Sequence, residues 1–185
     1  TCTRVFLPLL VAADAGHLVN TSSVNGFWAR ILPGVPHTAY STAKFAVKGF
    51  SEALLEDLRL NAPHVAVSVV MPGHIGTDIM LNSRSLHARC VDTATQAAGV
   101  RAMLEERGLP TSEMDDEAVL ATVDAFGEAF RDAAPMSAAD AATAILDAVR
   151  AGEWRILVGD DAHRLDEAVR ADPHAVYGPD GIGLL

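Results

Sequence analysis

An α/β layered fold, a doubly wound parallel sheet with helices on both faces, is what the sequence predicts, on three observations. The run Val65-Ala66-Val67-Ser68-Val69-Val70 is almost wholly apolar and is bounded by Pro63 and Pro72. Strands buried on both faces of a parallel sheet have that composition, whereas half-exposed antiparallel strands alternate. Two more strand-like runs, residues 17–21 and 154–158, stand before and after it. Long helical stretches separate the three, as the crossovers between parallel strands require.

Taken in order, residues 4–14 read as the end of an apolar helix stopped by Gly16. Arg4, the apolar run 5–13 and Ala13-Asp14-Ala15 imitate a signal peptide with its cleavage site. The expected reading is instead a buried helix leading into the strand 17–21. A loop rich in glycine, proline and aromatic residues covers 23–38. A helix follows over 39–60. Its apolar residues Ala43, Val47, Phe50, Leu54 and Leu58 recur at steps of three and four, which keeps them on one face. After the strand 65–70, residues 73–89 carry no period and are expected as a long loop. Helices are expected over 92–107, stopped by Gly108 and Pro110, and over 112–131, opened by Ser112 with Asp115 three positions on. Ser137 and Asp140 form another capping-box pattern, starting a helix that ends at Gly152. A short last helix over 162–171, with Asp160 and Asp161 as its caps, precedes a tail rich in glycine and proline.

Composition narrows the function classes. Half of the 185 residues are apolar and 21% are charged, the make-up of a soluble globular chain. A net charge of −10 argues against a nucleic-acid or membrane-surface partner, since both need a basic face. Cys2 and Cys90 form no motif and read as free thiols of a cytoplasmic protein. The seven histidines show no paired metal-ligand spacing, so no metal site is expected. Of fourteen basic residues only Lys44 and Lys48 are lysines, which makes the position of each worth asking about.

Tyr40-Ser41-Thr42-Ala43-Lys44 places a phenol and an ammonium four residues apart, one helical turn from each other on one face. A free tyrosine has a pKa near ~10 and is a poor acid–base group at neutral pH. A lysine held beside it favours the phenolate, and such a pair can move a proton to or from a substrate oxygen. Ser22 and Ser23 follow the strand 17–21, at the sheet edge where parallel α/β folds bind ligands. A hydroxyl there can hold a substrate oxygen beside the phenol. Pro72-Gly73-His74-Ile75-Gly76-Thr77 directly follows the second strand. Its glycines let the backbone approach a flat ligand, and Thr77 adds a hydroxyl.

In this order the three elements resemble the short-chain dehydrogenase/reductase family. The matching stretches are Leu18-Val19-Asn20-Thr21-Ser22-Ser23-Val24-Asn25-Gly26, Tyr40-Ser41-Thr42-Ala43-Lys44-Phe45-Ala46-Val47 and Pro72-Gly73-His74-Ile75-Gly76-Thr77. The resemblance is close over about residues 4 to 80, and beyond them only the order of elements agrees. It implies the second half of a Rossmann-like domain, with NAD or NADP as cofactor and a small alcohol or ketone as substrate. By it, Ser23 orients the substrate carbonyl, Tyr40 transfers the proton, and Lys44 holds ribose hydroxyls while keeping the tyrosine acidic. Ser23 is preferred to Ser22 because the family serine stands just before the small or apolar residues that lead to the glycine, here Val24-Asn25-Gly26. The resemblance further implies Pro72, Gly73, Ile75 and Thr77 as cofactor contacts, with the backbone around Ile75 and the Thr77 side chain meeting the nicotinamide carboxamide.

Two departures from the family are visible. Its glycine-rich pyrophosphate turn, which sits between a strand and a helix N-terminus, appears nowhere, since Gly181-Ile182-Gly183 lies in the tail without either flank. Its Asn-Ala-Gly stretch and the asparagine of the preceding helix are also missing. Residues 1–185 therefore read as the catalytic and substrate-binding part of one domain. The cofactor-cradling half is expected before Thr1, on the order of a hundred residues long.

Asn25, Phe27, Trp28, Ile31 and Leu32 in the first loop, with Ile79, Met80, Leu81 and Leu86 in the second, suggest an apolar substrate pocket. Residues 75–134 are expected as a lid inserted at the ligand-facing sheet edge. By the family's habit the helices at 4–14 and 39–60, the latter with an extra patch of Phe45 and Leu55, pair across a two-fold axis into a homodimer or homotetramer. Two other readings stand beside the oxidoreductase. One is a catalytically silent scaffold subunit, against which the joint presence of Ser23, Tyr40 and Lys44 argues. The other is an epimerase or dehydratase, which the short region after Pro72 fits less well.

Overall fold

The computed structural model describes residues 2–30, 37–178 and 181–183. The chain runs α1 (Cys2–Ala12), β1 (Gly16–Thr21), α2 (Thr38–Asn61) and β2 (Val65–Pro72). It continues through β3 (Ile75–Gly76), α3 (Ile79–Ala88), α4 (Thr93–Glu106), α5 (Asp116–Asp132) and β4 (Met136–Ser137). It closes with α6 (Ala138–Arg150), β5 (Arg155–Val158) and α7 (Asp160–Ala171). Thr1–Ile75 and Ala138–Leu185 form one compact unit, and Gly76–Ser137 forms a second.

In the first unit β1, β2 and β5 make a parallel sheet with β2 in the centre. The register runs from Gly16 opposite Val65 to Thr21 opposite Val70, and from Val69 opposite Arg155 to Pro72 opposite Val158. Val65, Val67, Val69, Val70 and Met71 are all buried, as the uninterrupted apolar run of β2 requires. Val65 and Val67 meet Leu54 and Leu58 of α2, with Leu7, Leu10 and Leu18 packed around them. Burying each such leucine contributes on the order of 2 kcal/mol. A second cluster joins Val24 and Trp28 to Ala162 and Leu165 of α7, with Leu157 of β5 against it. Side chains of a strand alternate between faces, so Val70 and Ile156, paired with each other, bury on the side opposite Met71 and Leu157. On that side the Ser68 hydroxyl donates to the carbonyl of Glu153, just past α6, which packs on β2 and β5.

Four sequence expectations need correction. The helix over 4–14 is not buried. Val5, Phe6, Leu9 and Val11 face outward, and only the Leu7/Leu10 stripe reaches the core. In α2 the buried positions are Ser41, Ser51, Leu54 and Leu58, while Ala43 and Phe50 of the expected stripe are exposed. Close approach explains it. Asn20 Nδ2 donates to Ser51 Oγ at 3.0 Å, and a serine fits where a larger apolar group would hold the helix away from β1. Residues 79–88, expected as loop, form α3, a helix with no acid in its first turn and only a weak apolar stripe. Finally, Asp115 rather than Ser112 caps α5, accepting the Ala118 N–H at 2.8 Å.

The second unit holds α3, α4 and α5 between the short strands β3 and β4, which pair with each other. Ala97 and Leu104 of α4 and Val119 and Leu120 of α5 are its buried apolar residues. Among the described residues, no helix is long and apolar enough to cross a membrane.

Candidate active site

The catalytic candidates sit where β1 ends and α2 begins. The Ser22 N–H donates to the Val70 carbonyl at 2.7 Å, carrying the sheet ladder one residue past β1. The chain then turns through a short 3-10 helix, Val24–Gly26, capped by Ser23, whose Oγ accepts the Asn25 N–H at 3.2 Å. Gly26 permits that turn to lie on α2. A Cβ there would collide with the Ser22 hydroxyl and stand 3.0 Å from the Lys44 carbonyl oxygen.

The two adjacent serines differ chemically. Ser22 spends its proton on the Lys44 carbonyl, at 2.7 Å, and so serves as a clamp between β1 and α2. Among the described residues Ser23 only accepts, through its bond from Asn25, which leaves its O–H without an acceptor there.

Tyr40 and Lys44 come together on the first turns of α2. The Lys44 ammonium stands 5.4 Å from the centre of the Tyr40 ring and donates to the Thr21 carbonyl at 3.2 Å. Partial burial holds the Lys44 pKa below the usual lysine value. His37 packs edge-on against Tyr40, with ring centres 5.2 Å apart. No hydrogen bond joins the Ser23 and Tyr40 hydroxyls. Beside His37 lies a cavity of about 450 Å³ lined by Ala29, His37, Thr38, Ser41, Thr42 and Phe45. His37 Nδ1 and the Ser41 hydroxyl are buried there without a hydrogen-bond partner among the described residues.

The expected substrate residues fare unevenly. Trp28 is 0% exposed and belongs to the core cluster on α7, so it is not a pocket wall. Its bulk fills the space that the alanine and leucine of α7 leave. Asn25 is buried as well, and its amide donates to the Trp28 carbonyl at 2.9 Å, fixing the turn. Phe27 lies partly buried against the same core, with the Arg155 guanidinium 5.5 Å over its ring. Ile31 and Leu32 lie outside the described residues. Met80 is half-exposed on α3 in the second unit, to which Thr77 also belongs.

Pro72 ends β2, and Gly73 follows with its N–H bonded to the Val158 carbonyl at 2.9 Å. Sequence reasoning missed what holds this turn. Asp161, read as a plain helix cap, accepts the His74 N–H through Oδ2 at 2.6 Å. Eighty-seven residues separate the two, so no local pattern signals the bond.

Comparison with known proteins agrees with this geometry. Residues 1–88 match the short chain dehydrogenase family model. The SadH protein of Mycobacterium tuberculosis is 43% identical over 81 residues, which cover 44% of this chain and 28% of that protein. A 3-ketodihydrosphingosine reductase of Bacteroides thetaiotaomicron is 37% identical over 75 residues, covering 40% of this chain and 25% of that enzyme. The matched stretch thus spans about a quarter of each relative. Among solved structures, a short-chain dehydrogenase/reductase of Burkholderia phymatum in complex with NAD superposes with a TM-score of 0.63 at 24% identity, covering 97% of this chain and 56% of that one. A short-chain dehydrogenase of Burkholderia cenocepacia in complex with NADP gives 0.57 at 21%, covering 95% and 51%. At these identities the likeness is one of fold. Residues 1–88, which carry Ser23, Tyr40 and Lys44, are thus the stretch over which this chain is similar to the short-chain dehydrogenase family.

Proposed function

We propose that this chain is the catalytic part of an NAD- or NADP-dependent oxidoreductase that interconverts an alcohol and a ketone or aldehyde on an apolar substrate. The observation that carries the reading is the Tyr40–Lys44 pair on one helical turn, with the uncommitted Ser23 proton on the adjoining turn. The Bacteroides relative, by name a 3-ketodihydrosphingosine reductase, supports a carbonyl reaction and an apolar substrate.

The donor set fits a nicotinamide dinucleotide. Lys44 uses one N–H on Thr21 and keeps others for ribose hydroxyls. Tyr40, Pro72, Gly73 and Ile75 stand at the same carboxyl edge of the sheet, while Thr77 and Met80 are assigned by sequence pattern alone. When bound, the nicotinamide supplies or takes up the hydride. The chain handles the proton and the orientation. Ser23 donates a hydrogen bond to the carbonyl oxygen, and Tyr40 gives its phenolic proton to that oxygen as negative charge develops there. The Lys44 ammonium stabilises the phenolate that remains. In the reverse direction Tyr40 removes the proton from the alcohol.

The exposed Val5, Phe6 and Leu9 on α1, with Phe45 and Phe50 on α2, support the reading that these helices also form a homodimer or homotetramer face. The oxidoreductase reading is tested by adding NADH or NADPH and a panel of apolar ketones and aldehydes to the complete polypeptide. Carbonyl-dependent loss of the reduced nicotinamide absorbance is expected for at least one. A protein that binds neither dinucleotide and oxidises neither overturns it.

A further inference from the structure

The turn after β2 is held from the far end of the chain. Asp161 lies in the first turn of α7 and is 6% exposed. Its Oδ2 accepts the His74 N–H at 2.6 Å, and its Oδ1 accepts the Ala162 N–H at 2.9 Å. The carboxylate occupies the space that two side chains would otherwise claim. A Cβ on Gly73 would fall on the carboxylate, and one on Gly159 would lie 2.5 Å from Oδ1. Gly159 also has a φ of +98°, a conformation that strains any residue with a Cβ. Burying a carboxylate is costly unless it is hydrogen-bonded. Here two backbone N–H groups and the N-terminal end of a twelve-residue helix face it. The successive amides of Gly73 and His74 are thus bonded to β5 and to Asp161, and the turn has no slack at the point where it leaves the sheet.

We propose that Asp161 is the positioning residue of the Pro72–Gly73–His74–Ile75 turn: through the His74 amide it fixes the backbone that meets the dinucleotide, without touching the dinucleotide itself. The proposal rests on the oxidoreductase reading above. Gly73 and Asp161 are complementary halves of the device, since the one makes room for the other. Asp161→Asn nearly preserves shape but removes the charge and one acceptor oxygen, so the charge-assisted bond to the His74 N–H is weakened whichever way the amide faces. Gly73→Ala disturbs the same contact from the opposite side and leaves the carboxylate intact.

The test compares the complete wild-type polypeptide with Asp161→Asn, Gly73→Ala and the double variant Gly73→Ala/Asp161→Ala. Hydrogen exchange of the His74 amide is followed together with KM for the dinucleotide and kcat. In Asp161→Asn the His74 amide should exchange about tenfold faster and KM for the dinucleotide should rise about tenfold, the size of one lost hydrogen bond, with kcat nearly unchanged. Gly73→Ala should likewise speed exchange of the His74 amide and raise KM for the dinucleotide. The double variant should be no worse than either single one, because the side chain that collides is gone. A purely structural anchor for α7 would lower the melting temperature without moving KM, and that outcome overturns the proposal, as does an unchanged His74 exchange rate. Multiplicative losses in the double variant also count against it. A wild type that binds neither dinucleotide overturns the oxidoreductase reading and the proposal together, whereas a binding wild type with an indifferent Asp161→Asn overturns the proposal alone.

Discussion

The two compact units hold themselves together in different ways. In Thr1–Ile75 with Ala138–Leu185, the central strand is buried from Val67 to Met71, and polar groups are bonded across long stretches of chain. Ser22 reaches Lys44, Ser68 reaches Glu153, and Asp161 reaches His74. In Gly76–Ser137 the buried apolar residues are few, Ala97, Leu104, Val119 and Leu120, and much of the remaining bonding involves charged side chains. Arg101 donates to the Thr111 and Met114 carbonyls and to Asp116, Arg84 pairs with Asp124, and Arg131 pairs with Asp78. Exposed ion pairs contribute little each. The difference teaches that the unit carrying Ser23, Tyr40 and Lys44 is held by a buried strand and by bonds between distant residues, whereas the helical unit relies more on surface ion pairs.

Core truncation should separate the units most strongly. Leu165→Ala removes a fully buried side chain from the α7 cluster, and a loss of about 2–5 kcal/mol is expected for the whole sheet unit. Leu120→Ala, on α5, should instead raise protease cleavage within 76–137 while leaving amide protection in β2 intact. Equal loss of β2 protection in both variants would break the comparison.

A smaller effect should come from the ion pair that fastens α7 to β5. Arg155 donates to Asp166 through both terminal nitrogens, one at 2.9 Å, and Arg170 adds a third bond at 2.9 Å. Arg155 above all, and then Arg170, hold the Asp166 carboxyl below its ordinary value of 3.8. A carboxyl depressed in the folded state stabilises above that ordinary value, and the contribution disappears as the pH falls through the folded value below it. Asp166→Asn should therefore lose on the order of 2 kcal/mol at neutral pH. The gap to wild type should close below pH 3.8. Denaturant titrations at the two pH values check this, and a gap that persists unchanged in acid would assign the loss to packing instead.

Much of the rigid unit was legible in the sequence, because its strands are apolar runs and its caps and stops are local. The Tyr40–Lys44 spacing was legible for the same reason, since a four-residue interval on a helix is a local fact. Illegible features depended on what arrives from elsewhere. Ser41 and Ser51 are buried in α2 because β1 and the Gly26 turn approach closely, which no helical period records. Trp28 and Asn25 looked like pocket residues of an aromatic loop, but α7 offers only small and medium apolar groups there, and the indole completes that core. Asp161 reads as one more helix cap in the sequence, and only the fold brings the turn after β2 to its carboxylate. In the second unit α3 went unread because Ile-Met-Leu-Asn-Ser-Arg-Ser carries no first-turn acid and only a weak stripe.

The proposed chemistry turns on Tyr40 moving the proton and on Lys44 keeping it able to do so. The most direct measurement is turnover of wild type and Tyr40→Phe in the complete polypeptide, with folding checked by melting temperature. Removing one half-buried hydroxyl should leave the fold in place while turnover falls on the order of 10²-fold or more. A well-folded Tyr40→Phe protein that turns over at nearly the wild-type rate would contradict the claim.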